Sequence, residues 1–390
     1  MTSPALTRRG FTGLVGAALG GTWLAGRPSP AATQPPPRPA GAAAPAGASP
    51  SGGAIRLDSN ENPYGPSPRA LAAMDRSRSE AARYPDDLED RVTDAIARQH
   101  GLKPENVLLG CGSGEILRMA DMAFLQAGRT VVAPEPTFEA VLNYARVTRA
   151  EGVTVPLTSD FRHDLPRMAA ACDARTGVVY VCNPNNPTGT IVSGDELAKF
   201  VAGVPKSAVI LVDEAYYHFV EDPGYRSAAD WIGLHPNLVV VRTFSKLYGL
   251  AGMRLGYGLA QPDKIEAMRA HKTWSNANAA VLEAVLASLE EPAYLEQQRK
   301  RMNDTRRFLC AELEKEGRRY IPSHANFVMI DLGRDVGDTI KTLRARQVFP
   351  GRRFAALPNW LRVSIGTREE TTAFLTALRA VAPAERTRAA

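Results

Sequence analysis

Several residues stand where a strand gives way to a loop, and their types suit the binding and activation of an anionic, carbonyl-bearing molecule. Lys246 follows the run Val239-Val240-Val241-Arg242-Thr243-Phe244-Ser245 and precedes Gly249, Gly252 and Gly256. The β-branched run predicts a buried strand, and a lysine at its carboxyl end lies where open α/β sheets hold ligands. Desolvated and crowded by other cations, such an amine loses its proton and can form a Schiff base. Arg254, across the glycine-rich turn, supplies such crowding and suits a phosphate clamp. Asp213 closes the run Ile210-Leu211-Val212. It reads either as a cap for the next helix or as the partner of a buried cation.

Three further motifs carry anion chemistry. Gly110-Cys111-Gly112-Ser113-Gly114-Glu115 follows a strand and opens a helix, so backbone N–H groups at Gly112, Ser113 and Gly114 can cradle an anion. A dinucleotide loop has a similar spacing. Its usual acidic residue after a second strand is replaced here by Ala133-Pro134-Glu135-Pro136-Thr137-Phe138. Asn183-Pro184-Asn185-Asn186-Pro187-Thr188-Gly189 is a rigid turn whose Asn186 amide can donate to an anionic oxygen. Arg362, within the alternating stretch Trp360 to Ile365, is either a surface charge or a fork for a carboxylate.

To hold these residues at one edge the chain needs a sheet. Seven runs read as buried strands: Val107–Leu109, Thr130–Ala133, Val153–Pro156, Val178–Cys182, Ala208–Val212, Leu238–Thr243 and Leu255–Ala260. Helical spacings separate most of them, which predicts an α/β fold with a largely parallel sheet. A helix is expected over Leu88–His100, stopped by Gly101. A long charged helix over Ala293–Lys315 and strands near Ala325–Ile330 and Leu361–Ile365 predict a smaller α+β domain. The stretch Ile55 to Pro66, with Pro63, Gly65 and Pro66, reads as extended and turning, and it opens an amino-terminal arm expected over residues 54–85. The expected division is residues 86–290 for the large domain and 291–390 for the small one. Asp213 is followed three residues on by Tyr216, placed one helical turn away.

The Ser245-Lys246 segment, Asn183 to Gly189, Arg362 to Thr367 and the arm together resemble the fold-type-I aminotransferases that depend on pyridoxal 5′-phosphate. The histidinol-phosphate aminotransferase branch is the most similar. The resemblance runs from about Ile55 to Thr367. It implies that Lys246 holds the cofactor and moves protons, while Asp213 pairs with the pyridine nitrogen. It gives the phosphate to Gly112, Ser113, Gly114, Ser245 and Arg254, and the ring face to Phe138, which otherwise reads as core packing. Asn186 and Tyr216 are assigned to the ring 3′-oxygen, Arg362 to the substrate α-carboxylate and Tyr64 to the substrate. Tyr84, in Arg83-Tyr84-Pro85, is implied to reach the phosphate of a partner subunit, hence a homodimer. The implied reaction moves an amino group between an amino acid and a 2-oxo acid such as 2-oxoglutarate. Lys272-Thr273-Trp274-Ser275-Asn276-Ala277-Asn278 lacks the Pro-aromatic-Asn-Val-Asn of that branch, and Phe349 to Phe354 also departs from its form. The expected donor is therefore histidinol phosphate-like, aromatic or acidic. A lyase or decarboxylase of the same fold and a non-catalytic cofactor sensor are the rival readings.

Composition excludes other classes. The 390 residues carry a formal charge of +6, but four arginines in the first 53 residues, with no acid beside them, leave +2 for the rest. That is no footprint for nucleic acid. The four cysteines are scattered, and the six histidines include no helical pair, so neither a disulfide scaffold nor a metal site is expected. Thr7-Arg8-Arg9-Gly10-Phe11-Thr12 before a short apolar run resembles a twin-arginine signal, which implies the export machinery as a partner and a periplasmic or secreted location. Arg27 stands where a lipidated cysteine would be required, so no stable membrane anchor is expected. The Pro- and Ala-rich stretch to residue 53 reads as a spacer.

Overall fold

All seven predicted strands pair into one sheet in the computed structural model, which describes residues 53–383. The signal and the spacer up to residue 52 lie outside the described residues. The strands are β1 (Ile55–Leu57), β2 (Val107–Gly110), β3 (Thr130–Glu135), β4 (Glu151–Pro156), β5 (Thr176–Cys182), β6 (Val209–Asp213), β7 (Leu238–Thr243), β8 (Gly256–Ala260), β9 (Tyr320–Ile321), β10 (Phe327–Asp331), β11 (Val348–Pro350) and β12 (Trp360–Ser364). The large sheet runs β2-β8-β7-β6-β5-β3-β4, with β8 antiparallel to both its neighbours and the other pairings parallel.

Every residue of β5, β6 and β7 is buried. Unbroken apolar runs are what a sheet covered on both faces demands. Val179, Val181, Ile210, Val212 and Val240 enter one core, whereas Val178, Tyr180, Leu211, Val239 and Val241 enter the other. Alternation thus divides each strand between two helical layers. Parallel register puts Cys182 beside Asp213 and Asp213 beside Val241, so β5, β6 and β7 release their loops at one edge.

The second sheet, β12-β10-β9, is antiparallel. Leu309 and Leu313 of the helix Pro292–Lys315, and Phe374 and Leu378 of the helix Arg368–Val381, pack with Val328 and Val363 in its core. Thr367 ends the strand region as a helix cap: its side chain accepts from Glu370 N–H while the Glu370 carboxylate accepts from Thr367 N–H. The arm was expected to be extended, and its first residues do more. They form β1, which pairs in parallel with β11 and ties the start of the described chain to this layer.

One local expectation fails. Asp213 is not followed by an α-helical turn: Glu214–Tyr216 form a turn leading into the 3₁₀ segment Tyr217–Phe219. The Glu214 carboxylate, accepting from Ser227, the Ala228 N–H and the Arg242 guanidinium, pins that loop instead. Glu214 and Arg242 are 1% and 4% exposed and 2.8 Å apart, a buried pair that holds only because further hydrogen bonds satisfy both partners.

Candidate active site

The carboxyl edge of β5–β7 opens into a cavity of about 760 Å³ whose lining includes Asp213, Tyr216, Ser245, Lys246, Arg254 and Arg362. Lys246 follows β7 on a tight loop and donates to the Ser59 carbonyl at 3.2 Å. Its Nζ lies 5.6 Å from the Tyr216 ring centroid. Burial, then the positive charge of Arg362 and, after the opposing effect of Glu61, that of Arg254, lower the amine to about 8. Crowding by cations is thus present, although Arg362 outweighs Arg254.

Asp213 is 3% exposed. Its carboxylate accepts from Tyr180 Oη at 3.0 Å and from the Ala215 N–H at 3.0 Å. Burial raises it to about 6, against the pull of those bonds and of Lys246. A buried carboxylate with so few donors favours a cationic partner. The loop after it turns Tyr216 back over the cavity, where Asn60 Nδ2 donates to Tyr216 Oη at 3.0 Å and Asn186 Nδ2 does so at 3.4 Å.

The glycine loop forms an anion cradle. Gly112, at φ +80°, precedes the helix Ser113–Phe124. A Cβ there would fall 2.2 Å from Arg254 Nη2, and one on Gly256 would fall 2.4 Å from Ser113 N. Both positions need glycine so that guanidinium, strand and helix start can converge. Arg254 itself sits at φ +62° and donates to Ser245 Oγ at 3.3 Å and to the Ala251 carbonyl at 2.9 Å. Helix N–H groups, a hydroxyl and a guanidinium meet at one point, the donor set a phosphate requires.

Arg362 on β12 is 8% exposed. Its partners are neutral oxygens, Asn186 Oδ1 and the Asp58 carbonyl, each at 2.8 Å. Its Nε is buried and unpartnered. Among the described residues no carboxylate lies within 4.0 Å of it. Burial lowers its affinity for the proton, with Asp58 opposing from a distance, so an incoming anion would relieve a cation that has no acid in contact with it. Asn186 is free for this because its neighbour Asn185 is consumed inside the turn by Thr137, Thr188 and the Pro136 carbonyl.

The structure therefore brings together Gly112, Ser113, Gly114, Phe138, Asn186, Asp213, Tyr216, Ser245, Lys246, Arg254 and Arg362. One expected contact stands elsewhere. Tyr64 does not line the cavity: its ring lies under Arg301, 3.7 Å from the guanidinium carbon, and packs beside Tyr216 and Leu247. The arm meets the site instead through Ser59, Asn60 and Glu61. Tyr84 is 80% exposed and outside the cavity of its own chain. Sequence reasoning missed Tyr180 and Asn60. Tyr180 is two residues before Cys182 on β5, hence on the same face, a signal that strand period carries. Asn60 lay inside the arm motif but shows its role only through contacts distant in sequence.

The site fits a group that joins a phosphate, a basic ring nitrogen and an aldehyde. Gly112, Ser113, Ser245 and Arg254 match the first, Asp213 the second and Lys246 the third. The comparisons agree. A family model described as aminotransferase class I and II matches residues 53–378. The histidinol-phosphate aminotransferase of Moorella thermoacetica is 38% identical over 330 residues, covering 84% of this chain and 85% of that protein. Histidinol-phosphate aminotransferase 2 of Pseudomonas fluorescens Pf-5 is 38% identical over 329 residues, 84% of this chain and 88% of its own. The crystal structure of the Sinorhizobium meliloti histidinol-phosphate aminotransferase, in complex with pyridoxal-5′-phosphate, superposes with a TM-score of 0.79 at 27% identity, covering 84% of this chain and 90% of its own. The chain belongs to the class I and II aminotransferase family.

Proposed function

We propose that this protein is a pyridoxal 5′-phosphate-dependent aminotransferase that takes the amino group of a histidinol phosphate-like, aromatic or acidic donor and delivers it to a 2-oxo acid such as 2-oxoglutarate. The observation that carries this reading is the half-buried amine of Lys246, lowered to about 8 and sharing one cavity with Asp213, Arg362 and the Arg254 cradle. When bound, the cofactor supplies an aldehyde that condenses with amines and a ring that accepts the electron pair released at the substrate Cα.

The chain's own residues do the rest. The helix start at Ser113, with Ser245 and Arg254, would hold the phosphate. Asp213, oriented by Tyr180, would keep the ring nitrogen protonated, and Phe138 would cover a ring face. Tyr216 and Asn186 would donate to the ring oxygen. The Arg362 fork would fix the α-carboxylate and so aim the Cα hydrogen at Lys246 Nζ, which takes the proton and later returns it. For histidinol phosphate, which lacks an α-carboxylate, the same fork would face its phosphate.

Purified protein should bind pyridoxal 5′-phosphate and absorb visible light in a band lost in Lys246→Ala. Single-turnover spectra against an amino-acid panel with histidinol phosphate will identify the donor. Failure of 2-oxoglutarate and pyruvate alike to restore the starting spectrum would overturn the transfer reading in favour of a lyase. We further propose that the enzyme is a homodimer with Tyr84 serving the partner's site, and that Arg8 and Arg9 direct its export to the periplasm. Sedimentation of the purified protein and fractionation of Arg8→Lys/Arg9→Lys cells test these two points. A monomer, or unaltered export, would refute them.

A further inference from the structure

Tyr216 can donate to a ring oxygen only if its hydrogen points into the cavity, and a phenolic O–H can turn about its C–O bond unless its neighbours fix it. The ring itself is held: it stands edge-on to Phe327, with centroids 5.2 Å apart and planes at 84°. Burial pushes the phenol well above its ordinary value, against the pull of Arg362 and of the Asn60 amide. The hydrogen therefore stays on the oxygen at neutral pH, and its direction is the open question.

Asn60, in the arm, settles that direction. It is 2% exposed. Its N–H donates to Ser364 Oγ at 2.8 Å, its carbonyl accepts from Asn326 Nδ2 at 2.9 Å, and its Oδ1 accepts from Ser364 Oγ at 3.0 Å. The Ser364 hydroxyl already accepts from the Asn60 N–H, so its hydrogen needs an acceptor. Turning the amide over would replace that acceptor with a second donor. Nδ2 is thereby committed to Tyr216 Oη, at 3.0 Å. Asn186 Nδ2 approaches the same oxygen at 3.4 Å, its amide set by Arg362, which donates to Asn186 Oδ1 at 2.8 Å. Two N–H donors thus face the phenol oxygen, and no described residue accepts from it. Its hydrogen is left to the cavity that Tyr216 lines.

We propose that Asn60 is a positioning residue that aims the Tyr216 hydrogen at the ring oxygen of the cofactor. The proposal rests on the aminotransferase reading and gives Asn60 an action through Tyr216. A donor at the ring oxygen draws charge from it. That oxygen then holds less tightly the proton on the nitrogen that joins Lys246 to the cofactor. Donation to the phenol oxygen also makes its O–H the better donor, since hydrogen bonds in series polarise one another. An acceptor in place of Nδ2 would turn the hydrogen away. A plain tether would need only the bonds to Ser364 and Asn326, which hold the arm whether or not Nδ2 is there.

The test is a pH titration of the visible band in the pyridoxal phosphate-loaded protein. Asn60→Gly tolerates the left-handed backbone at φ +55° and keeps the backbone bonds while removing the amide. It should raise the midpoint by about one pH unit, toward that of Tyr216→Phe. Asn60→Asp keeps an oxygen for Ser364 but sets an acceptor against the phenol, and should raise the midpoint at least as far. In the Tyr216→Phe background Asn60→Gly should add nothing. A wild-type midpoint in either variant, or the same rise from Asn60→Gly with and without the Tyr216 hydroxyl, overturns the proposal while leaving the aminotransferase reading intact. If the wild-type protein takes up no pyridoxal phosphate, that reading fails, and this proposal with it.

Discussion

Asp121 offers a sharp test of the physics in this structure. It lies in the helix Ser113–Phe124, is 0% exposed, and both carboxylate oxygens are buried without a hydrogen-bond partner. It shares this helix with Ile116, Leu117, Met119 and Ala120, members of an apolar core that also holds Val131 and Val239. Burial raises its carboxyl from 3.8 to about 8. The folded protein thus keeps a proton on Asp121 at neutral pH, whereas the unfolded chain has released it. Between pH 3.8 and about 8 the folded state binds one proton more, so stability falls as pH rises through that window and levels off above it.

The slope is about 1.4 kcal/mol per pH unit, so going from pH 5 to pH 8 removes roughly 4 kcal/mol through this one group. Asp121→Asn abolishes the titration while keeping the shape, and Asp121→Leu also removes the unsatisfied polar atoms. Urea unfolding of wild type and Asp121→Asn at pH 5, 6.5 and 8 isolates the term, because every other titrating group cancels in the difference. The variant should gain on the wild type by about 4 kcal/mol across that range. Parallel pH profiles for the two proteins would refute the assignment of a buried, unpaired carboxyl.

Other consequences follow from the site and its supports. In cofactor-free protein, acylation of Lys246 should reach half its maximal rate near pH 8; Arg362→Met should move that midpoint upward, because burial and then Arg362 hold it down. A midpoint near 10 in the wild type would contradict the crowding described here. Gly112→Ala places a Cβ against Arg254 Nη2 in a left-handed backbone, so affinity for pyridoxal phosphate in equilibrium dialysis should drop at least tenfold with the far-ultraviolet spectrum unchanged. Wild-type affinity would show that the cradle tolerates a side chain. Glu214→Gln strips the acid from Arg242, and thermal denaturation should register a loss of about 3–5 kcal/mol. A negligible change would mean that the pair is not the anchor of the loop after β6.

The fold was legible wherever burial acts through local periodicity. Val178–Cys182, Ala208–Val212 and Leu238–Thr243 are apolar on both faces, and the sheet covers both faces with helices. Residues at strand ends were legible for the same reason: an end of a parallel strand has a fixed address, the carboxyl edge, before any contact is known. The small details were not. The turn at Glu214–Tyr216 is dictated by Arg242 and Ser227, which lie 28 and 13 positions away, and local pattern could not reveal an anchor so remote in sequence. Tyr64 was read from a motif that fixes the path of the arm but not the direction of each side chain along it.

That distinction bears on the arm as a whole. Its backbone supplies the Ser59 carbonyl to Lys246 and the Asp58 carbonyl to Arg362, while Asn60 bonds both Tyr216 and Ser364. Its opening stretch, residues 55–66, has no helix and only a three-residue strand, yet touches the amine and the carboxylate fork at once. Asn60 can do so because it holds φ +55°, a left-handed conformation that asparagine tolerates better than most residues. The backbone oxygens of Ser59 and Asp58 hold Lys246 and Arg362, and the Asp58 carboxylate acts on Arg362 only from beyond contact. Had an acidic side chain taken that place, Arg362 would already be paired and the cavity would have lost its claim on a substrate anion. The neutral partners of Arg362 are therefore the feature that makes this buried arginine a receptor and not a structural salt bridge.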